Sequence, residues 1–415
     1  MPAYERAKVL RRAADLIRDR KTHIARILTL EEGKPLAESE SEITYAAELF
    51  DWAADEGRRA YGRVVPARRS NLRQLVVREP IGPVAAFAPW NFPAVTPARK
   101  ISGALGAGCS LILKPAEDTP VTSIELARAC VDAGLPDGVL NVVFGTPAQI
   151  SDHLIASPVI RKISFTGSTA VGRLLGAKAG HFLKKATLEL GGHGPVIVFD
   201  DADVDHAVAE SLKWKFHNGG QVCVAPTRFI VQDRVHDRFV DALAEGASRI
   251  VIGDGMLPNT EMGPLITQRR LEAVDELVED AQTLGSRLLT GGGRYGDLGS
   301  FYKPTVIAGV PIGARIMNEE PFGPVAPVIR FSDADEAIAE ANRLPYGLAG
   351  YVFTHSTDRA LRASDLLEVG MVGVNDYDLS APETPWGGVK ESGYGVEGGS
   401  EGLDSYLVTK HIALS

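Results

Sequence analysis

The stretch Ile163-Ser-Phe-Thr-Gly-Ser-Thr-Ala-Val-Gly172 combines a short apolar β-type run, a glycine and the start of a helical pattern. Ser168 or Thr169 can cap a helix running to about residue 181, because a hydroxyl at that position accepts hydrogen bonds from unpaired backbone N–H groups. Backbone donors, the helix dipole and a hydroxyl would then face an anion such as a phosphate. The stretch predicts a strand–turn–helix unit, and it fits a phosphate site and an ordinary capped helix equally well.

The same alternation recurs along the chain. Short runs that are apolar on both faces alternate with helical patterns, which is typical of a parallel sheet covered by helices on both sides. The pattern restarts after about residue 190, so we predict an α/β fold with two lobes that meet there. The predicted strands lie at 73–77, 84–88, 111–113, 141–144, 162–165, 195–199, 227–232, 304–307, 325–331, 349–353 and 371–374. The predicted helices include 4–30, 38–58, 98–108, 121–133, 147–156 and 169–181, and the predicted Gly-rich loops are 291–299 and 393–402.

Size, charge and cysteine content limit the possible classes of protein. The chain has 415 residues and a formal net charge of −9, with no basic block to favour nucleic-acid binding. No run approaches the roughly 18 apolar residues that a membrane span needs, and the charged start is not a secretory signal. Three cysteines without a Cys-x-x-Cys spacing predict neither a metal site nor a disulfide framework. We therefore expect a cytoplasmic protein of two or three domains, without membrane or nucleic-acid partners.

Cys223 differs from the other two cysteines in its surroundings. Cys109 and Cys130 lie in apolar or helical runs and are predicted core residues. Cys223 follows the polar loop Asn218-Gly-Gly-Gln221, whose glycines would let backbone N–H groups approach a ligand. A thiol in such a loop can be activated as a nucleophile. Taken alone, however, this residue is better explained by a structural cysteine.

Further polar groups follow β-type runs. Glu189, between two leucines, would be partly desolvated and suited to act as a base. Asn91, in Pro89-Trp-Asn-Phe-Pro93, would present its amide at the carboxyl edge of the sheet, where α/β folds bind ligands. Lys114 and Glu117, in the turn after the next strand, could bind ribose hydroxyls. Each of these residues also has a purely structural interpretation of comparable weight.

Two motif matches are rejected. Gly291-Gly-Gly-Arg-Tyr-Gly296 fits the dinucleotide pattern GxGxxG, but no helix pattern follows it to supply the N-terminus that binds phosphate. Gly398-Gly-Ser-Glu-Gly402 fits the nucleophile-elbow pattern GxSxG, but a Gly-rich loop precedes it where an apolar strand is required. We therefore do not predict a serine hydrolase.

Seven stretches, taken together and in this order, resemble the aldehyde dehydrogenase superfamily from about residue 3 to the end of the chain. They are PWNFP (89–93), KPAEDTP (114–120), FTGSTAVG (165–172), LELGG (188–192), GQVC (220–223), EEPFGPV (319–325) and PWGGVKESG (385–393). Each motif is weak alone, but so many in order make chance agreement negligible.

The resemblance implies a Rossmann-like coenzyme domain, an α/β catalytic domain and a small β oligomerisation element. The implied ranges are 1–61 with 81–190, then 191–399, and finally 62–80 with 400–415. A homodimer or homotetramer is expected, because the oligomerisation element offers an exposed edge strand. The chain would also begin several tens of residues into the usual family length, within the coenzyme domain, which we expect to lower folding efficiency.

The resemblance also implies roles for individual residues. Cys223 would attack an aldehyde, Asn91 and the Cys223 backbone N–H would hold the oxyanion, and Glu189 would activate water to hydrolyse the thioester. The presence of Glu189 favours a free acid as product over acyl transfer to coenzyme A. The loop must favour the thiolate form, since a free thiol is mostly protonated at neutral pH. The implied coenzyme residues are Pro89, Trp90, Lys114, Glu117, Gly145, Gly167, Ser168, Leu190, Gly191, Glu320 and Phe322.

Coenzyme and substrate preferences follow from single positions. Glu117 predicts a preference for NAD, because a carboxylate that binds the ribose 2′-hydroxyl would repel the 2′-phosphate of NADP. NADP remains an alternative coenzyme. Within the superfamily the chain is most similar to the branch that oxidises carboxylate-bearing semialdehydes, such as succinate semialdehyde. Arg99 matches that branch's carboxylate-binding arginine and Ser380 a supporting hydroxyl, whereas His217 replaces a second arginine and weakens the clamp.

Other readings of the substrate and of the chemistry stay open at this point. α-Ketoglutarate semialdehyde and general aliphatic aldehydes are alternative substrates. A coenzyme-binding pseudoenzyme and a coenzyme-free thiol esterase or acyltransferase are alternatives of other classes.

Overall fold

The computed structural model describes residues 1–415 as three β-sheets covered by helices, which confirms the predicted α/β fold. Every predicted strand overlaps an observed one. The strands are β1 (Arg63–Val65), β2 (Arg73–Pro80), β3 (Val84–Phe87), β4 (Leu111–Lys114), β5 (Leu140–Val142), β6 (Lys162–Thr166), β7 (Lys185–Glu189), β8 (Gly194–Val198), β9 (Pro226–Gln232), β10 (Arg287–Thr290), β11 (Thr305–Ala308), β12 (Val325–Phe331), β13 (Ala349–Phe353), β14 (Met371–Val374), β15 (Gly393–Tyr394) and β16 (Leu407–Leu414).

The α-helices follow the predicted periodicity with two corrections. They are α1 (Ala3–Asp19), α2 (Lys21–Glu32), α3 (Leu36–Glu56), α4 (Val95–Ala107), α5 (Pro120–Asp132), α6 (Pro147–Ala156), α7 (Thr169–His181), α8 (Val204–Phe216), α9 (Asp233–Ser248), α10 (Gln268–Thr283), α11 (Ala334–Asn342), α12 (Thr357–Leu366) and α13 (Gly399–Asp404).

The first correction concerns the single helix predicted over 4–30, which is two helices separated at Arg20 (φ −98°, ψ 6°). Both helices bury their apolar faces in the same core, so the apolar pattern continues across the bend and does not reveal it. The second concerns the loop predicted over 393–402, which contains β15 and the start of α13.

The six-stranded sheet has the order β15-β7-β6-β3-β4-β5, and every pair except β15–β7 is parallel. Strands β4 and β5 lie on one side of β3, and β6 and β7 lie on the other. Successive strands are therefore added to one side of β3 and then, from β6 on, to the other side. α/β folds bind ligands in the crevice at such a change in strand order. The turns after β3 and β6 both open onto this crevice.

The seven-stranded sheet has the order β10-β11-β12-β9-β8-β13-β14, and only β10 is antiparallel to its neighbour. The chain passes from β7 in the first sheet to β8 in this sheet through residues 190–193. Glu189 ends β7, and Cys223 lies just before β9. The carboxyl edge of one sheet and the amino end of β9 thus supply facing functional groups.

A separate antiparallel sheet contains β1, β2 and β16. Strands β2 and β16 pair over their full lengths, from Leu407 opposite Pro80 to Leu414 opposite Arg73, and the other edge of β16 is unpaired. Its strands come from the ranges that the sequence assigned to an oligomerisation element, whereas β15, from the range assigned to the catalytic domain, pairs with β7. None of the helices combines the length and the apolar character that crossing a bilayer requires.

Arg228 fixes the position of β9 within the seven-stranded sheet. Its side chain is 1% exposed and donates to the carbonyl oxygens of His193, Glu340 and Ala341. Its guanidinium also lies 3.2 Å from the Glu340 carboxylate. Burial lowers the pKa of Arg228 to about 10, so the guanidinium remains charged at neutral pH. The strand that follows Cys223 is therefore bound to helix α11 by a buried cation.

We expect Arg228→Met to lower the free energy of unfolding by about 3 kcal/mol, because it removes the donor of three buried carbonyl oxygens and one of the two arginines paired with Glu340. Urea unfolding followed by circular dichroism measures the change. Arg234→Met is the control, since Arg234 is 84% exposed and its pair with Asp200 contributes little to stability. Equal unfolding midpoints for the two variants would contradict the structural role of Arg228.

Candidate active site

A cavity of about 880 Å³ lies where the two large sheets meet. This volume is within the range of pockets that bind cofactors and small molecules. Cys223, Glu189 and Asn91, the three predicted catalytic residues, all line it. The fold therefore brings together residues that are far apart in the chain.

Glu189 faces the thiol of Cys223 from the end of β7. The Cys223 Sγ donates to Glu189 Oε1 at 3.4 Å, and the glutamate is 4% exposed. Two further donors bind the same carboxylate: Trp386 Nε1 reaches Oε1 at 2.9 Å and Thr166 Oγ1 reaches Oε2 at 3.1 Å. The carboxylate is thus oriented by three groups while it remains in contact with the thiol.

The protonation state of Cys223 differs from the sequence expectation. Burial raises the pKa of the thiol well above its ordinary value, and the nearby carboxylates of Glu189 and Glu320 raise it further, because both disfavour a thiolate. The expectation that the loop itself favours the thiolate is therefore wrong for this form of the protein. The thiol keeps its proton and donates it in a hydrogen bond to Glu189, the group placed to accept it.

The backbone before Cys223 has an unusual conformation. Asn218, Gly219 and Gly220 have φ values of +50°, +59° and +73°. At Gly220 a Cβ would lie 2.2 Å from the carbonyl oxygen of Gly323, so only glycine fits. The Cys223 backbone N–H donates to no group of the chain. It is therefore available to a ligand, as expected for an oxyanion donor.

Asn91 is held in place from both ends. Its Nδ2 donates to the carbonyl oxygen of Gln221 at 2.9 Å, which leaves its second amide N–H free for a ligand. Its backbone oxygen accepts from Lys34 Nζ at 2.8 Å and from Asn218 Nδ2 at 2.9 Å. Lys34 and Glu42 form a buried ion pair of 2.7 Å. The N-terminal helices thus help to position Asn91.

The coenzyme residues predicted from the resemblance fall into two groups. Those that line the cavity are Pro89, Trp90, Gly167, Ser168, Leu190, Gly191, Glu320 and Phe322. Lys114, Glu117 and Gly145 lie outside its lining, and Lys114 is paired with Glu117.

The lining suits a dinucleotide. Ser168 caps α7 as predicted, since its hydroxyl accepts from Val171 N at 3.4 Å. An anion near Gly167 would face the positive end of the helix dipole. Burial raises the pKa of Glu320 to about 7, and Gly192 N donates to its Oε1 at 3.1 Å. The N-terminus of α7 therefore provides a partner for a phosphate, and the Glu320 carboxylate provides one for a ribose hydroxyl.

Arg99, His217 and Ser380, the predicted carboxylate-binding residues, also line the cavity. Arg99 is 8% exposed, and its Cζ lies 4.1 Å from the centre of the Trp386 ring. Its Nη2 donates to Tyr45 Oη at 3.2 Å, while its buried Nε has no partner. Burial opposes the charge, but Tyr45 and Glu189 outweigh it, so the pKa of Arg99 lies above its ordinary value.

His217 does not present a free cation to the cavity. Its Nδ1 lies 3.3 Å from Glu38 Oε1, and its ring is stacked with Phe92 at 6.2 Å between centres. The same glutamate accepts from Asn218 N at 2.9 Å. His217 is therefore engaged by Glu38 and is not free to bind a substrate anion as a second arginine would be.

Sequence reasoning missed several residues of the site. Trp386 lies in the motif PWGGVKESG (385–393), but nothing in the sequence predicts that its indole N–H donates to Glu189. Arg269 and Arg270, in the first turn of α10, line the cavity without having been predicted. Lys34 had no sequence signal, since its contact with the Asn91 carbonyl joins residues that are 57 positions apart.

Comparison with known proteins places the chain among dehydrogenases. Residues 1–412 match the profile of the "Aldehyde dehydrogenase family". The 4-(hydroxymethyl)benzenesulfonate dehydrogenase TsaD1 of Comamonas testosteroni is 49% identical, over 99% of this chain and 86% of that protein. The succinate-semialdehyde dehydrogenase [NADP(+)] GabD of Escherichia coli is 44% identical, over 100% of this chain and 86% of that protein. A crystal structure of succinate-semialdehyde dehydrogenase from Burkholderia pseudomallei superposes with a TM-score of 0.98 at 46% identity, covering 100% of this chain and 86% of that one.

The raised pKa of Cys223 gives a testable pH dependence. Alkylation by iodoacetamide without coenzyme should be slow at neutral pH and should rise continuously above pH 9, because the thiolate is the reactive form. In Glu189→Gln the rise should move to lower pH, because the variant loses a negative charge that disfavours the thiolate. The rate of labelling against pH measures both effects.

Cys223→Ser is the control for this labelling, since Cys109 and Cys130 are buried and should not react at comparable rates. An unchanged or higher alkylation midpoint in Glu189→Gln would contradict the contact between the carboxylate and the thiol.

Proposed function

The chain belongs to the aldehyde dehydrogenase family, and from that premise we propose that it oxidises an aldehyde carrying a distal anionic group to the free acid. Succinate semialdehyde is the expected substrate and NAD the preferred coenzyme. The observation that carries the proposal is Arg99, a charged guanidinium in the same cavity as Cys223, with an Nε that has no protein partner.

The proposed chemistry begins with proton transfer from Cys223 to Glu189, across the 3.4 Å contact. The sulfur then forms a bond to the aldehyde carbon, and the carbonyl oxygen becomes an oxyanion. The free N–H of the Asn91 amide and the Cys223 backbone N–H donate to that oxygen; one such donor is typically worth about 3 kcal/mol of barrier lowering. Hydride loss leaves an acyl group bonded to sulfur, and the nicotinamide coenzyme, when bound, supplies the acceptor for that hydride.

Hydrolysis of the thioester needs a base for water. Glu189 is the buried carboxylate next to the sulfur, and it would first release to solvent the proton that it took from the thiol. It would then take a proton from water while the water oxygen bonds to the acyl carbon. The carbon–sulfur bond then breaks, and the departing thiolate takes this proton from Glu189 to become a thiol again. The product is a carboxylic acid. The same residue would thus accept a proton in both halves of the reaction.

The residues that would hold the coenzyme lie on the crevice of the six-stranded sheet. Gly167 and Ser168 would bind the phosphates at the start of α7, and Glu320 would accept from a ribose hydroxyl. Lys114 ends β4 and Glu117 lies in the turn after it, at the same edge of the sheet. The Glu117 carboxylate, 49% exposed, would accept from a 2′-hydroxyl and repel a 2′-phosphate. This supports NAD as the preferred coenzyme.

A second candidate substrate is an aryl aldehyde with an anionic substituent. Aromatic rings of Tyr45, Phe92, Trp214 and Trp386 line the cavity beside Arg99, and flat apolar surfaces favour a planar ring. The relative TsaD1 is named for a benzenesulfonate, and GabD for an aliphatic semialdehyde. Both names share a distal anion, which an arginine fork can bind.

We expect succinate semialdehyde to exceed butanal in kcat/KM by at least about 100-fold, because a buried guanidinium binds only the substrate that carries a carboxylate. In Arg99→Leu this ratio should fall close to one, mainly through the semialdehyde, while butanal oxidation changes little. NADH formation measures all rates. Equal rates for both aldehydes in the unmodified protein would contradict the anionic-substrate proposal.

The second candidate is tested in the same assay with 4-formylbenzenesulfonate and benzaldehyde. A higher kcat/KM for the sulfonate than for succinate semialdehyde would favour the aryl substrate. Absence of NADH from every aldehyde in a folded sample would instead favour a coenzyme-binding protein without activity. Ester hydrolysis that is independent of coenzyme would favour a thiol esterase.

Coenzyme preference should depend on Glu117. We expect Glu117→Gln to lower the ratio of kcat/KM for NAD to that for NADP by about tenfold, because an amide does not repel a phosphate and Lys114 loses its ionic partner. Steady-state kinetics with each coenzyme measure the ratio. Asp132→Asn, which removes a surface carboxylate paired with Arg20, is the control. An unchanged ratio in Glu117→Gln would contradict this role.

We also propose that the chain assembles as a homodimer or homotetramer through the unpaired edge of β16. Such an edge is eight residues long and presents free backbone donors and acceptors.

A further inference from the structure

Trp386 connects two functional groups of the cavity, Glu189 and Arg99. Its indole N–H donates to Glu189, its ring face lies against Arg99, and the residue is 7% exposed. We propose that Trp386 is a positioning residue, which holds the Glu189 carboxylate toward the sulfur of Cys223 during hydrolysis of the thioester. The inference rests on the proposed function, because it presumes that Glu189 is the base for water.

The Trp386 backbone is itself fixed. Its N–H donates to the Glu397 carbonyl at 2.7 Å, and Glu397 N donates back to the Trp386 carbonyl at 2.8 Å. The Glu397 side chain forms a buried ion pair of 2.7 Å with Lys100. The indole is therefore attached to a backbone that is fixed by hydrogen bonds, and it can hold the Glu189 carboxylate in one orientation.

The donors of Glu189 change during the reaction. In the free protein the Cys223 thiol and Trp386 both donate to Oε1, and Thr166 donates to Oε2. Once the sulfur carries an acyl group it has no proton to donate. Trp386 is then the only protein donor left on Oε1. Its contribution should therefore be larger in hydrolysis of the thioester than in its formation.

The ring also connects the base to the anion-binding side of the cavity. The Arg99 Cζ lies 4.1 Å from the ring centre, a distance at which a cation is attracted to the aromatic face. The indole plane is thus held between the guanidinium that would bind the substrate and the carboxylate that would activate water. One side chain sets the relative position of both.

The test uses Trp386→Phe, which keeps an aromatic face for Arg99 and removes the N–H. We expect kcat with succinate semialdehyde to fall by about 10- to 100-fold, the loss of one hydrogen bond to a charged group, and KM to change by less than about threefold. A burst of about one NADH per active site should precede the slow steady state, because hydrolysis becomes limiting.

Trp52→Phe is the matched control. Its indole N–H donates to the Gly399 carbonyl at 3.2 Å, and the residue does not line the cavity. The control removes the same chemical group and should keep kcat within about twofold. Circular dichroism and urea unfolding establish that each variant is folded. Trp386→Leu replaces Trp386→Phe if the latter does not fold.

A double-mutant cycle with Glu189→Gln separates the possible outcomes. If Trp386 acts through Glu189, the Phe substitution should change kcat by less than about threefold in the Glu189→Gln background. An equal fall of kcat in both backgrounds, or no fall in Trp386→Phe alone, would overturn the positioning role. Full activity of Glu189→Gln by itself would instead overturn the proposed base, and this inference with it.

Discussion

The backbone of Gly192 lies against the carbonyl oxygen of Cys223, so closely that a Cβ would stand 2.4 Å from that oxygen. This approach joins the segment after β7 to the turn before β9, and hence one large sheet to the other. Glu189 lies three residues before Gly192, so the same contact fixes the distance between the Glu189 carboxylate and the Cys223 thiol. Gly220 repeats the constraint against Gly323 on the other side of the loop. A side chain at Gly192 would push its backbone away from Cys223, and a side chain at Gly220 would push its backbone away from Gly323.

Charged side chains that are wholly or partly buried also hold the elements around the site together. Lys34, Glu42 and Arg228 are removed from water and Glu320 is half-buried, and burying a charge is costly unless the charge has partners. The lysine meets this cost through Glu42 and the Asn91 carbonyl, and the arginine through three carbonyl oxygens and Glu340. Glu320 has only Gly192 N as a hydrogen-bond donor, and burial accordingly raises its pKa. This carboxylate, with its single donor, lines the cavity where a coenzyme hydroxyl would be expected.

Local patterns were sufficient for much of the fold. The strands were predictable because they are buried on both faces, and the cap of α7 because its hydroxyl acts within one turn. The bend at Arg20 was not predictable, since α1 and α2 share one core and one apolar periodicity.

For the site, motif resemblance identified Cys223, Glu189 and Asn91 as candidates, and the structure places them in one cavity. Trp386 and Lys34 could not be assigned roles, because their partners are defined only by tertiary packing. The protonation of Cys223 was mispredicted for the same reason: the loop sequence does not show that packing places the half-buried thiol against the Glu189 carboxylate.

The retained proton on Cys223 has a consequence for chemical durability. The thiolate, and not the thiol, reacts with peroxides and related oxidants, so a cysteine with a raised pKa is a poor target for conversion to sulfenic acid. We therefore expect slow oxidation of Cys223 while no aldehyde is present. Cys109 and Cys130 are buried elsewhere and are not placed to form a disulfide with an oxidised Cys223. Low reactivity toward oxidants thus protects a sulfur atom that has no resolving cysteine beside it.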